Sequence, residues 1–157
     1  ERFRQLAMRC AFAVPMAVTF NDCVASFATL DSTTLQPTSE PTTVASNRVL
    51  LDKFSVRLGR YKRGDVCFMK SPTKPNSWIV KRVIALEGDR VRTDDQGVVS
   101  IPQGFCWVEG ADSDPSPDSN SLGPLPLGLI DGVVAYALYP SLRRVPREFP
   151  QEKVLLG

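Results

Sequence analysis

The sequence contains no histidine in 157 residues. That absence excludes Ser-His-Asp and Cys-His catalysis, histidine-ligated metals and the commonest general base. Any acid–base chemistry must therefore fall to lysine, a carboxylate or tyrosine. An excess of one charge is missing too: 19 basic against 17 acidic residues leave a net charge of +2. No stretch interleaves Lys and Arg with aromatics as a nucleic-acid surface would, so nucleic acid is not expected as a partner. Cysteine is sparse, and Cys10, Cys23, Cys67 and Cys106 form neither a C-x-x-C pair nor a zinc spacing. Cys67 and Cys106 lie in apolar, strand-like runs and are expected as buried free thiols.

A long hydrophobic run is also lacking. "CAFAVPMAVTF", residues 10–20, holds eleven residues without a charge, whereas a bilayer requires about 20. Continuing through "NDCVASFATL" to Leu30 reaches that length but takes in Asn21 and Asp22. Arg2, Arg4 and Arg9 precede the run, so the positive-inside rule would send everything after residue 30 to the opposite side. Residues 1–30 are thus expected as a membrane-associated helix, with an amphipathic or buried core helix as the alternative. No small-residue pattern marks a cleaved signal peptide.

With 43% hydrophobic and 23% charged residues, the chain can bury one core and form one main domain. "DSTTLQPTSEPTTVASN" reads as an extended loop. Thereafter "RVLLDKFSV", "GDVCFMKS", "SWIVKRVIAL", "DRVRTD", "GVVSIP", "GFCWVEG" and "DGVVAYALYP" are short β-branched and aromatic runs set apart by Gly, Pro, Asp and Asn. The class is mostly β. "DDQG" at 94–97 predicts a turn and hence a hairpin over 89–101. No repeat of solenoid length occurs, and the tail from Arg143 reads as a surface extension. The expected division is 1–30, a β domain over 31–145, and a C-terminal tail over 146–157.

Residues 110–128, "GADSDPSPDSNSLGPLPLG", form a nineteen-residue loop dense in Asp, Ser, Pro and Gly. A long loop inside a compact domain is often functional. Asp112, Asp114 and Asp118 lack the glycine and terminal acid of a calcium loop, so no metal site is expected there. The best candidate for chemistry is Lys81 in "SWIVKRVIAL": a hydroxyl becomes nucleophilic beside a neutral lysine amine, and burial favours the neutral form. The plainer reading of that strand has Lys81 or Arg82 pointing to solvent.

Taken in order, "LQPT" after a hydroxyl, "GDVCFMKSP", "VKRVIALEGDRV", "IPQGFCWVEG" and "SPDSNSLGPLPLGLIDGVV" resemble the type I signal peptidases, the S26 family, on its mitochondrial inner-membrane branch. The resemblance spans residues from about 10 to 140. It implies a signal-peptidase-like β-barrel or β-ribbon domain behind one N-terminal transmembrane helix, and a hydroxyl/Lys dyad that cuts sorting peptides from precursors without a cofactor. Position by position, it makes Thr34 the nucleophile and Lys81 the general base, followed by the basic Arg82. Ser116 becomes the serine that orients the lysine, with Asp118 and Ser119 completing that motif, and Ser32 a support of the oxyanion hole. It further implies an inner mitochondrial membrane location with the β domain in the intermembrane space, and a partner peptidase subunit or larger complex. Two departures stand out. Thr34-Leu35 replaces Ser-Met, adding a methyl group that stiffens χ1, and Ala111 stands where the family has an aspartate that pairs with the Arg82 position. They keep open a second implication, an inactive homologue serving as a structural subunit.

Overall fold

The longest strand among the described residues is the one that carries Lys81. β-branched residues at Ile79, Val80, Val83 and Ile84 favour extended backbone, and Trp78–Leu86 forms a strand of nine residues. In this computed structural model, which describes residues 13–16, 18–19, 21–29, 48–93, 97–110, 117–138, 142–147 and 153–155, that strand lies inside a large antiparallel sheet. In chain order the strands are β1 (Ala25–Thr29), β2 (Arg48–Asp52), β3 (Val66–Lys70), β4 (Trp78–Leu86), β5 (Arg90–Thr93), β6 (Gly97–Ser100), β7 (Phe105–Glu109), β8 (Leu125–Pro126), β9 (Ile130–Ala137), β10 (Arg143–Arg144) and β11 (Val154–Leu155). The main sheet runs β1-β2-β9-β3-β4-β7-β8, with β10 on β9, and it curls into a half-barrel. A smaller sheet runs β11-β5-β6. The mostly β expectation holds, as does the hairpin: Arg90 faces Ser100 and Thr93 faces Gly97.

The pleat sorts the core. Directly opposed residues share a face of a sheet, so Cys67, Met69, Ile79, Val83, Cys106, Val108 and Val133 pack together on one side of the main sheet. Val49, Leu51, Val66, Val134 and Ala137 pack on the other. A third cluster, around the fully buried Trp107, joins the small sheet to the end of β4. Burial pushes the Cys106 thiol up to about 12, and burial, then Cys106 and Asp65, raises Cys67 well above its usual value. Both are free thiols in the core, as expected.

Three segments depart from expectation. "RVLLDKFSV" is a strand only to Asp52, whose carboxylate accepts from the Ser55 N–H and hydroxyl at 2.9 and 2.6 Å. This cap starts helix α1, Lys53–Arg57, in place of further strand. Ala25–Thr29, assigned from sequence to an N-terminal helix, is β1 and pairs with β2. The described residues before it, 13–16, 18–19 and 21–23, are helical, but no helix among the described residues is long and apolar enough to cross a membrane. The tail, read as a surface extension, contributes β10 and β11, and Val145 and Val154 are buried in the core. Its spaced valines find the two sheets, a pairing no local pattern announces.

Two turns of one construction bracket the β3–β4 unit. Gly64 and Gly88 both have positive φ, +84° and +86°. The aspartate after each receives the backbone N–H three residues back: Lys62 to Asp65 and Leu86 to Asp89, both at 2.9 Å. Arg63 joins the turns, its guanidinium donating to both Asp89 oxygens at 2.8 and 2.6 Å. Burial raises the Asp89 carboxyl, but the Arg63 hydrogen bonds, the Leu86 N–H and the Arg63 charge together outweigh it, and the net position is below the usual carboxylate value. A depressed folded-state carboxyl contributes stability at pH above its unfolded value of about 4, lost as pH falls through the lower folded value. Asp89→Asn is therefore expected to cost about 2 kcal/mol at pH 7, allowing for the partly exposed Arg63. In urea unfolding followed by circular dichroism, the gap between variant and wild type should close below about pH 3.

Candidate active site

Lys81 is 1% exposed. Alternation along β4 aims its side chain to the face of Ile79 and Val83, away from solvent. The register builds one row across five strands: Ala25 opposes Asp52, Asp52 opposes Val133, Val133 opposes Cys67, and Cys67 opposes Lys81. The lysine stem thus rises beside a buried thiol, with Ile79 on one side and Val83 on the other, a desolvated setting for an amine. The solvent-facing reading of Lys81 is overturned: the side chain lies on the face of the apolar cluster and is buried there.

Arg82 points the opposite way, since the strand period is two. Its guanidinium Nη1 donates to the Gly64 carbonyl at 2.9 Å and the Pro146 carbonyl at 3.1 Å. It therefore fastens the C-terminal segment to the turn before β3. Arg147 adds a second fastening through its ion pair with Asp65. Sequence reasoning missed this clamp. The repeated Gly-Asp of "RGDV" and "EGDR" was the available sign.

On the far side of β4, the long loop returns at Asp118 and Ser119. Asp118 caps the short helix α2, Ser119–Leu122, accepting from the Asn120 and Ser121 N–H groups at 3.1 and 3.3 Å. Ser119 is completely buried, and its Oγ accepts the Val108 N–H at 2.9 Å. β8 pairs with β7 only at Phe105 and Cys106; beyond that point the serine takes the place of a strand. Ser119→Ala removes that acceptor and is expected to lower stability by about 1–2 kcal/mol in a urea titration. The same loss in a valine variant would identify the hydrogen bond, not side-chain volume, as the cause.

The structure thus places Lys81 on β4 and, against the adjoining β7, Asp118 and Ser119 at the start of α2, with Val83 opposite Val108. Thr34, Ser32 and Ser116 lie outside the described residues, as does Ala111. What stands in the described part is a buried lysine at mid-strand, a rigidly capped end to the long loop, and a basic neighbour turned away. Such a lysine can accept a proton from a hydroxyl delivered to it from a loop.

Residues 3–100 match the family model described as signal peptidase, peptidase S26. The chain is 42% identical over 146 residues to mitochondrial inner membrane protease subunit 2 of Mus musculus, covering 90% of this chain and 83% of that protein. It is 44% identical over 134 residues to the Homo sapiens subunit 2, covering 83% and 77%. Against the Homo sapiens subunit 1 the identity is 38% over 109 residues, 66% of each. The chain belongs to the signal peptidase S26 family. It is a peptidase of the signal-peptidase type, similar to the mitochondrial branch of that family.

Proposed function

We propose that this chain is a subunit of a mitochondrial inner-membrane peptidase that removes sorting peptides from precursor proteins. The observation that carries the proposal is Lys81, an amine buried to 1% exposure at the centre of an apolar sheet face. Burying an amine there carries a desolvation cost, and buried ionisable groups of this kind cluster at functional sites. In this reading Thr34 Oγ attacks the scissile carbonyl while Lys81 Nζ takes the hydroxyl proton. The amine returns that proton to the leaving nitrogen, and water then cleaves the ester left on Thr34. Ser32 and the Thr34 N–H hold the oxyanion, which contributes a few kcal/mol, on the order of 3. Ser116 orients the lysine, from a loop whose end Asp118 and Ser119 fix. The reaction so written uses no metal or cofactor. The precursor lies as an added β-strand along the site, with the β domain in the intermembrane space, the segment before β1 at the membrane, and a second peptidase subunit as partner.

Thr34 and Ala111 favour a second reading, in which the fold is kept as a structural subunit without activity. One assay separates them: cleavage of a sorting-signal peptide by wild type, Thr34→Ser, Thr34→Ala and Lys81→Ala, in detergent with any copurifying subunit. Cleavage by wild type, lost in both alanine variants, identifies Thr34 as the nucleophile. Inert protein throughout, or activity gained only in Thr34→Ser, identifies a structural subunit.

A further inference from the structure

The hairpin formed by β3 and β4 has a tip that the peptidase reading leaves unused. From Val66 to Leu86 the sequence has no Asp or Glu and four basic residues. Two of these, Lys81 and Arg82, are turned inward, one into the core and one onto backbone carbonyls. The remaining two, Lys70 and Lys74, are exposed. Beside them Trp78 is 42% exposed, stacked on Phe68 with ring centroids 4.8 Å apart and planes 9° from parallel. The Lys70 ammonium stands 5.8 Å from the indole centre.

The tip is built to hold that arrangement. Ser71 N–H donates to the Ser77 carbonyl at 2.8 Å, and the Lys74 N–H to the Ser71 hydroxyl at 3.2 Å. Pro72 and Pro75 stiffen the turn. An indole of this kind is amphipathic and favours the headgroup level of a bilayer. Lysines beside it attract negatively charged lipid; the hairpin itself carries no acid, and Asp131 on the adjoining β9 is paired with Lys53 at 3.1 Å. Trp78 lies three residues from Lys81, about 10 Å along the strand.

We propose that the β3–β4 tip, through Trp78, Lys70 and Lys74, docks on an anionic phospholipid surface and so holds the Trp78 end of β4, and with it Lys81, close to the membrane. This rests on the membrane-peptidase reading and deepens it by naming the surface that faces the lipid. The test uses the full chain with vesicles of equal parts phosphatidylcholine and phosphatidylglycerol, the latter carrying brominated acyl chains that quench nearby indoles. The chain has two tryptophans, and Trp107 is fully buried, so quenching reports Trp78. Quenching is expected with the anionic vesicles, is expected to vanish in Trp78→Phe, and to be absent with phosphatidylcholine alone. Lys70→Gln/Lys74→Gln is expected to raise the lipid concentration needed for half-maximal quenching about tenfold or more. Bound protein whose Trp78 stays unquenched overturns the proposal, as does a double variant that titrates like wild type. Trp78 shielded only when a second peptidase subunit is added also overturns it, in favour of a protein contact. Cleavage is not read, so inert protein in the peptide assay leaves this result interpretable.

Discussion

Lys81→Met is expected to reduce peptide cleavage by about a thousandfold while leaving the unfolding midpoint close to that of wild type. Methionine nearly matches the volume of the lysine stem and suits the apolar face of Ile79, Cys67 and Val83. It carries no amine, so the proton from the nucleophilic hydroxyl has no acceptor, and removing a general base costs roughly 10²–10⁴ in rate. Lost hydrogen bonds and gained apolar contacts oppose each other at such a site, and a net change within about 1 kcal/mol is expected. The pair of measurements is single-turnover cleavage and urea unfolding on the same preparation. Full activity in the methionine variant would remove Lys81 from the chemistry. A loss of several kcal/mol in stability would show that the lysine holds the fold, and the lost activity would then say nothing of a base.

Gly64→Ala is expected to cost about 3 kcal/mol, a large effect for one methyl group. Gly64 has φ +84°, and a Cβ there would meet the Arg147 carbonyl carbon at 2.9 Å and its oxygen at 3.0 Å. An L-residue in that conformation stores about 1–3 kcal/mol of strain, and the encroached atoms are backbone that cannot rotate away, adding about 1–3 kcal/mol. Relief would pull the C-terminal segment off the turn and stretch the Arg82 bonds to Gly64 and Pro146. The turn also continues the ladder of β4, with Gly64 N–H on the Val83 carbonyl at 2.7 Å and Val83 N–H on the Asp65 carbonyl at 2.8 Å. Activity should therefore fall along with stability, since Lys81 is two residues away. Gly88→Ala makes the control: it has the same sign of φ but nothing within 4 Å of the added methyl, so only the conformational part, about 1 kcal/mol, is expected. Equal losses at both positions would refute the close packing of the tail.

The sequence by itself determined the class and singled out Lys81 as the candidate base. Runs of β-branched residues broken by Gly-Asp and Asp-Asp turns specify short antiparallel strands, because that chemistry acts over a few residues. The absence of histidine left lysine, a carboxylate or tyrosine for acid–base work, and ordered motifs singled out Lys81. Local signals of that kind also located the 89–101 hairpin. They did not separate the buried from the solvent-facing reading of Lys81: burial depends on the sheet's bringing Val108 of β7 and Val133 of β9 to the same face, and those strands come well after β4 in the chain. The helix start at Lys53 depended on whether Asp52 turned back as a cap, and β1 on finding β2. Likewise Val145 and Val154 look like surface valines until β9 and β5 are in place beside them, and the Arg82 and Arg147 clamps join positions more than sixty residues apart. Strand pairing and ion pairs over such separations are decided by which surfaces meet once the chain is compact, and the tertiary structure alone records that choice.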